Sequence, residues 1–227
     1  NVNGCTVLAK LNIYKNRLLE IELSGTPMLT QVNCSNNLFV DLNVSNAMNL
    51  ETLNSQGNHL ERLEVSGCTQ LKHLYAGYNK LTSVNLFGIE NLLSLNVDGN
   101  EINSMYMANM PSLLTLICSD NNMTSLVIKN CNNLEDLVCS YNRLTSLEVN
   151  GCDNLQFVDC SYNDLSTLTL SNQPLLQRLL CNNNFITNLD VSYDTQLTYI
   201  NCRSNQIFTF TTIGCDNLRM VACQWNM

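Results

Sequence analysis

The chain has 227 residues, 45% of them apolar, 13% charged and 7% aromatic, with a formal charge of −8 and an isoelectric point near 4.6. That length supports a sizeable core, and the acid excess lacks the clustered Lys and Arg that nucleic acid or an anionic membrane requires, so neither is expected as a partner. No apolar run of about 18 residues marks a membrane span, no leader stands at the N-terminus, so any export signal is expected to have been removed, and two histidines, His59 and His73, leave little material for acid–base or metal chemistry.

Taken from the N-terminus, the chain repeats itself. An asparagine recurs at Asn16, Asn37, Asn58, Asn79, Asn100, Asn121, Asn142, Asn163, Asn184, Asn205 and Asn226, always 21 residues apart. Eight positions earlier stands a leucine every time, from Leu8, Leu29 and Leu50 to Leu197 and Leu218, and five positions earlier stands Leu, Val or Ile. Three positions earlier come Ile13, Cys34, Ser55, Ala76 and Val97, then Cys118, Cys139, Cys160, Cys181, Cys202 and Cys223. After the asparagine, apolar residues fall two, five and seven positions on, as in Leu144, Leu147 and Val149 or Ile186, Leu189 and Val191. A small turn, often Gly-Cys, closes the unit.

The unit L-x-x-L-x-C-S-x-N-x-L-T-x-L-x-V-S-G-C-x-x resembles a leucine-rich repeat, most closely the bacterial 21-residue type called IRREKO. Both half-repeats of that type carry an L-x-x-L-x-L-like pattern, as Leu134 to Cys139 and Leu144 to Val149 do here. The resemblance covers essentially the whole chain and departs mainly in its Cys where relatives have Leu. It implies a single leucine-rich-repeat solenoid, a right-handed superhelix of about ten to eleven coils over 1–227, with a parallel β-sheet on the concave face.

Elementary patterning supports that architecture. Apolar residues two apart in L-x-C point to one face of a strand, and the residue between them points out. Stacked at about 4.8 Å, ten coils would form a rod of roughly 50 Å. The second half of each unit repeats the strand pattern with Val, Ile and Thr, so the convex side is expected to be extended or short-stranded, with very little helix. The asparagine column predicts a structural ladder, because an amide both donates and accepts. Gly67, Gly88, Asn109, Gly151 and Gly214, nine residues after a ladder asparagine, suit a corner of positive φ.

All twelve cysteines fall in two columns, seven three before the asparagine and Cys5, Cys68, Cys131, Cys152 and Cys215 ten after it. Parallel Cβ vectors about 4.8 Å apart fit a disulfide poorly, which predicts buried free thiols. No C-x-x-C occurs, the aspartates Asp98, Asp120 and Asp159 match no calcium motif, and no metal or cofactor is expected.

Ten successive 21-residue steps leave no inserted catalytic loop. Ser119, Ser140 and Ser161 form a column with no histidine on the same grid, and His73, beside Tyr75, is expected to be solvated, so the chain is taken as non-enzymatic with no catalytic residues. The resemblance makes the concave sheet the binding face. There Leu93, Leu114, Ile117, Val138, Phe157 and Leu180 replace the asparagines of other coils, and Tyr75, Tyr78, Tyr141, Tyr162, Tyr199 and Trp225 supply aromatic anchors. The candidate protein-binding residues are therefore Tyr75, Tyr78, Leu114, Ile117, Val138, Tyr141, Phe157, Tyr162, Leu180 and Tyr199. The tyrosines next to the ladder have a competing role, lying flat over the neighbouring coil. Thr82, Thr124, Thr145 and Thr187 on the other side mark plain solvated surface.

Asn1 enters mid-unit and Met227 stops one residue past the last ladder asparagine, so both ends are expected to be uncapped and the chain to be a piece of a longer protein. The functional expectation is a recognition domain of a bacterial surface or secreted protein that binds a host or neighbouring-cell protein; a cytoplasmic setting would also suit free thiols. The alternative is a structural spacer that projects another domain and associates with itself end to end or face to face. A substrate-recognition arm of a bacterial effector ligase fits less well, because those relatives are rich in Leu-Pro pairs and only Pro27, Pro111 and Pro174 occur here.

Overall fold

Each 21-residue unit folds as one coil of a parallel-strand β-solenoid of about ten turns, and there is no helix among the described residues. The computed structural model describes residues 2–23, 25–170 and 173–226. Asn1 and Met227, on which the expectation about the ends rests, lie outside them. The coils fall into two compact units, Asn1–Ile102 and Asn103–Met227.

In the first unit the main-sheet strands are Lys10–Asn12, Gln31–Asn33, Thr52–Asn54, His73–Tyr75 and Ser94–Asn96. They pair in parallel with a register of one repeat, so Leu11 lies beside Val32, Leu53 beside Leu74 and Leu74 beside Leu95. Strand alternation sends the middle residue of each trio inward; Leu53, Leu74 and Leu95 are fully buried while their neighbours face out. On the other side of this unit Asp41–Asn43 pairs with Arg62–Glu64.

The second unit repeats the plan with Thr115–Ile117, Asp136–Val138, Phe157–Asp159, Arg178–Leu180, Tyr199–Asn201 and Met220–Ala222. Its reverse side carries a three-stranded sheet of Ser104–Ala108, Ser125–Lys129 and Ser146–Asn150, and a pair formed by Asn188–Asp190 and Thr209–Thr211. The short-stranded second side is therefore as the Val, Ile and Thr content predicts.

The asparagine column is a ladder in the strict sense. Asn163 Nδ2 donates to the carbonyls of Cys160 and Ser161 in its own coil and to Cys139 in the preceding one, at 3.1, 3.2 and 3.1 Å. Its Oδ1 accepts the Leu144 N–H at 2.9 Å. Asn58, Asn184 and Asn205 make the same donor set, and each bond satisfies a backbone group that the turn would otherwise bury unpaired. Corner residues Gly67, Gly88, Asn109, Gly151 and Gly214 all have positive φ, between 57° and 78°.

All twelve cysteines are free, and ten are buried. Cys5 and Cys223 are exposed, which corrects the expectation of twelve buried thiols: among the described residues each has a neighbouring coil on one side only. Burial pushes the thiols of Cys34, Cys118 and Cys160 up to about 12. Cys68 and Cys215 donate to carbonyls one coil away, Val44 at 3.1 Å and Val191 at 2.9 Å.

Candidate protein-recognition face

The first and third residues of the main-sheet strands lie on the solvent side, all partly or fully exposed except the buried Ala222, so a 21-residue step in sequence becomes a one-strand step across the face. In the first unit this face is rich in amides. Lys10, Gln31, Asn33, Thr52, Asn54 and Tyr75 line a shallow trough of about 440 Å³. Tyr75 is half-buried and stacks against His73, with ring centroids 6.2 Å apart and planes 6° from parallel. His73 is half-buried rather than solvated, and its Nδ1 is out of contact with water and without a hydrogen-bond partner among the described residues. It stands in a row between Thr52 and Ser94, with the Tyr75 ring stacked beside it.

Tyr78 is 62% exposed yet is committed to packing. It takes a φ of 54°, and its ring lies over Gly99 of the next coil so closely that a Cβ there would sit 2.8 Å from the ring. The next-coil glycine is what admits the ring. Of the candidate binding residues, only Tyr75 and Tyr78 belong to this unit; the other eight belong to the second.

In the second unit Ile117 and Val138 are direct neighbours in register, both half-buried, and Leu114 stands exposed at the start of the same coil as Ile117. Val138 is followed by Asp159 and then Leu180, so the apolar run along the third strand position is broken by a carboxylate. Along the first position Phe157 and Tyr199 flank Arg178. The guanidinium lies 5.3 Å from the Phe157 ring centroid and 5.8 Å from that of Tyr199, within cation–π range of both. Sequence reasoning assigned the two rings and missed the cation between them. The signal was available: the three residues stand 21 apart at one strand position. Tyr141 and Tyr162, in adjacent coils at φ of 53° and 54°, stack on each other with centroids 4.3 Å apart.

Charge on this face is sorted by coil. Segments 114–120, 135–141 and 156–162 contain Asp120, Glu135, Asp136 and Asp159 and no Lys or Arg. Segments 177–183, 198–204 and 219–225 contain Arg178, Arg203 and Arg219 and no carboxylate. None of these groups forms an ion pair with another charged side chain among the described residues. Arg203 instead bonds Gln224, and Asp159 accepts the Ser161 hydroxyl at 2.6 Å. The Ser119 and Ser140 hydroxyls bond each other at 3.1 Å. Among the described residues no group of three or more His, Cys, Asp or Glu is placed to hold a metal ion, and no helix is long and apolar enough to cross a membrane.

No family model and no curated protein matches the chain. Solved structures do. The leucine-rich repeat domain of APL1B superposes with a TM-score of 0.79 at 23% identity, over 94% of this chain and 68% of that one. YopM, a leucine-rich effector protein from Yersinia pestis, gives a TM-score of 0.71 at 19% identity, covering 88% of this chain and 62% of that one. The functional domain of InlJ from Listeria monocytogenes, which includes a cysteine ladder, gives 0.67 at 24% identity. The alignment with InlJ covers 94% of this chain and about half, 55%, of that one. The fold is thus that of the leucine-rich repeat solenoids, built here on a 21-residue period.

Proposed function

We propose that this chain is a non-enzymatic recognition domain that meets a protein partner through the solvent face of the main sheet in the second unit. The carrying observation is the Phe157–Arg178–Tyr199 stack. An arginine held between two rings keeps its fork oriented and its donors outward, so a partner meets a charge that has little side-chain freedom left to lose. Val138 and Ile117, two and three strands from Arg178, add apolar area for a partner to cover. Leucine-rich repeats commonly meet partners with this sheet, and the bacterial character of the repeat suits a surface or secreted protein that binds a host or neighbouring-cell protein.

The test is binding of the labelled domain to a panel of host matrix and cell-surface proteins, beside an Arg178→Ala variant and a Val138→Glu, Tyr141→Ser double variant. Saturable binding that Arg178→Ala weakens by about tenfold or more, on the scale of an arginine hot spot, supports the reading. Binding that all three proteins share equally removes this face from consideration.

A further inference from the structure

The sorted charges of the second unit make its sheet face complementary to itself. A two-fold axis parallel to the strands, passing between Phe157–Asp159 and Arg178–Leu180, brings two copies face to face, reversing coil order and keeping position along the strand. Every guanidinium then lies over the acidic coils of the other copy. With coils about 4.8 Å apart and about 3.3 Å per residue, Arg178 falls about 5 Å from Asp136 of the second copy, Arg219 about 5 Å from Glu135 and Arg203 about 6 Å from Asp120, measured in the plane of the sheet. An arginine side chain can span those offsets, Arg178 by leaving its place between Phe157 and Tyr199 and Arg203 by giving up its bond to Gln224. The same axis also sets the two Arg178 about 5 Å apart in the plane, and the two Asp159 likewise, so the attractive pairs on each side have two like-charge approaches to outweigh. The axis perpendicular to the strands would instead set acid on acid and base on base.

We infer that this face docks a second copy of the chain as an isologous dimer, held by these three charge pairs on each side of the axis. The inference rests on the reading of the face as a recognition surface and makes its occupant a second copy of the chain in place of a host or neighbouring-cell protein. Six strands by seven residues span about 29 Å by about 23 Å, so two copies bury about 1,300 Å², at the small end of specific interfaces. Each copy also carries a net charge of −8, which opposes approach in every orientation and which the local pairs have to overcome. A weak, concentration-dependent dimer follows, best measured at physiological ionic strength, where the general repulsion is screened and close pairs persist.

Sedimentation velocity over about 1 to about 300 μM spans the affinities expected of such a contact. The weight-average mass is expected to rise from 25.5 kDa toward twice that value. Two charge-reversed proteins decide the geometry. Arg178→Glu with Arg219→Glu makes both ends of the face acidic, and Glu135→Arg with Asp136→Arg makes both ends basic. Each alone is expected to associate at least about tenfold more weakly than wild type, and an equimolar mixture is expected to associate again as a heterodimer. A wild-type mass that stays constant to the highest concentration overturns the inference, as does wild-type association by either variant alone. If a charge-reversed variant does not fold, Arg178→Gln with Arg219→Gln takes its place, and association of that protein as strong as wild type overturns the inference. A flat series rejects the second copy and leaves the partner panel to judge the face as a recognition surface.

Discussion

At the scale of single residues, the ladder asparagine is the position the fold can least spare. Asn163→Ala removes three donor bonds and strands the Leu144 N–H in a site that Asn163 itself leaves only 6% exposed. A loss of about 2–4 kcal/mol is expected in urea denaturation, because buried donors and acceptors left unmade cost their full desolvation. Asn163→Asp keeps the acceptor for Leu144 yet turns a carboxylate toward three carbonyls, so it is expected to be no more stable than the alanine variant at neutral pH. Gly99 offers a separable case. Gly99→Ala is expected to cost about 1–3 kcal/mol, part from an alanine at a φ of 58° and part from the Tyr78 ring 2.8 Å from the new Cβ. In a Tyr78→Ala background only the backbone part remains, and a double-mutant cycle measures the difference.

At the scale of elements, the strands and the thiol column act together. Cys34, Cys118 and Cys160 have an ordinary value of 9.0 and are held at about 12 by burial, so the native state keeps protons that the unfolded chain gives up. Their contribution to stability is fully present below pH 9 and is lost as pH rises from there through 12. Urea midpoints are therefore expected to fall between pH 9 and pH 11, and the slope to be shallower in Cys160→Ala; a midpoint independent of pH over that range would sink the argument. The strands, the ladder and the thiol column could all be read from spacing, because each is a 21-residue column in which one side-chain type faces one environment. The binding face could be read only as a set of positions. The 21-residue spacing puts Arg178 between Phe157 and Tyr199, but whether its guanidinium settles against both rings depends on rotamers that spacing does not fix, and the apolar strip expected from Ile117, Val138 and Leu180 is interrupted by Asp159 from the adjacent coil. Burial of His73 Nδ1 was equally invisible, since it depends on how the ring lies against its neighbours and not on its place in the repeat.

At the scale of the whole molecule, a solenoid accumulates stability from each coil and from each contact between neighbouring coils, so its length is adjustable in whole steps and in no others. Deleting residues 143–163 joins Asn142 to Asp164, which stands at the same place in its coil as Arg143. Every ladder asparagine then keeps its 21-residue spacing. Deleting only 144–163 leaves one extra residue in that coil, which shifts the second-half strand by one and turns its apolar positions from the core to solvent. The in-step protein is expected to keep the far-ultraviolet circular dichroism of the parent per residue and a cooperative transition at a somewhat lower denaturant midpoint, the out-of-step protein to lose cooperativity or not to fold. Equal behaviour of the two would mean that the coils do not depend on a shared register. That outcome would remove the asparagine ladder as the device that sets the fold, since its bonds reach from one coil to the next only when Nδ2 and Oδ1 meet the same backbone atoms in each.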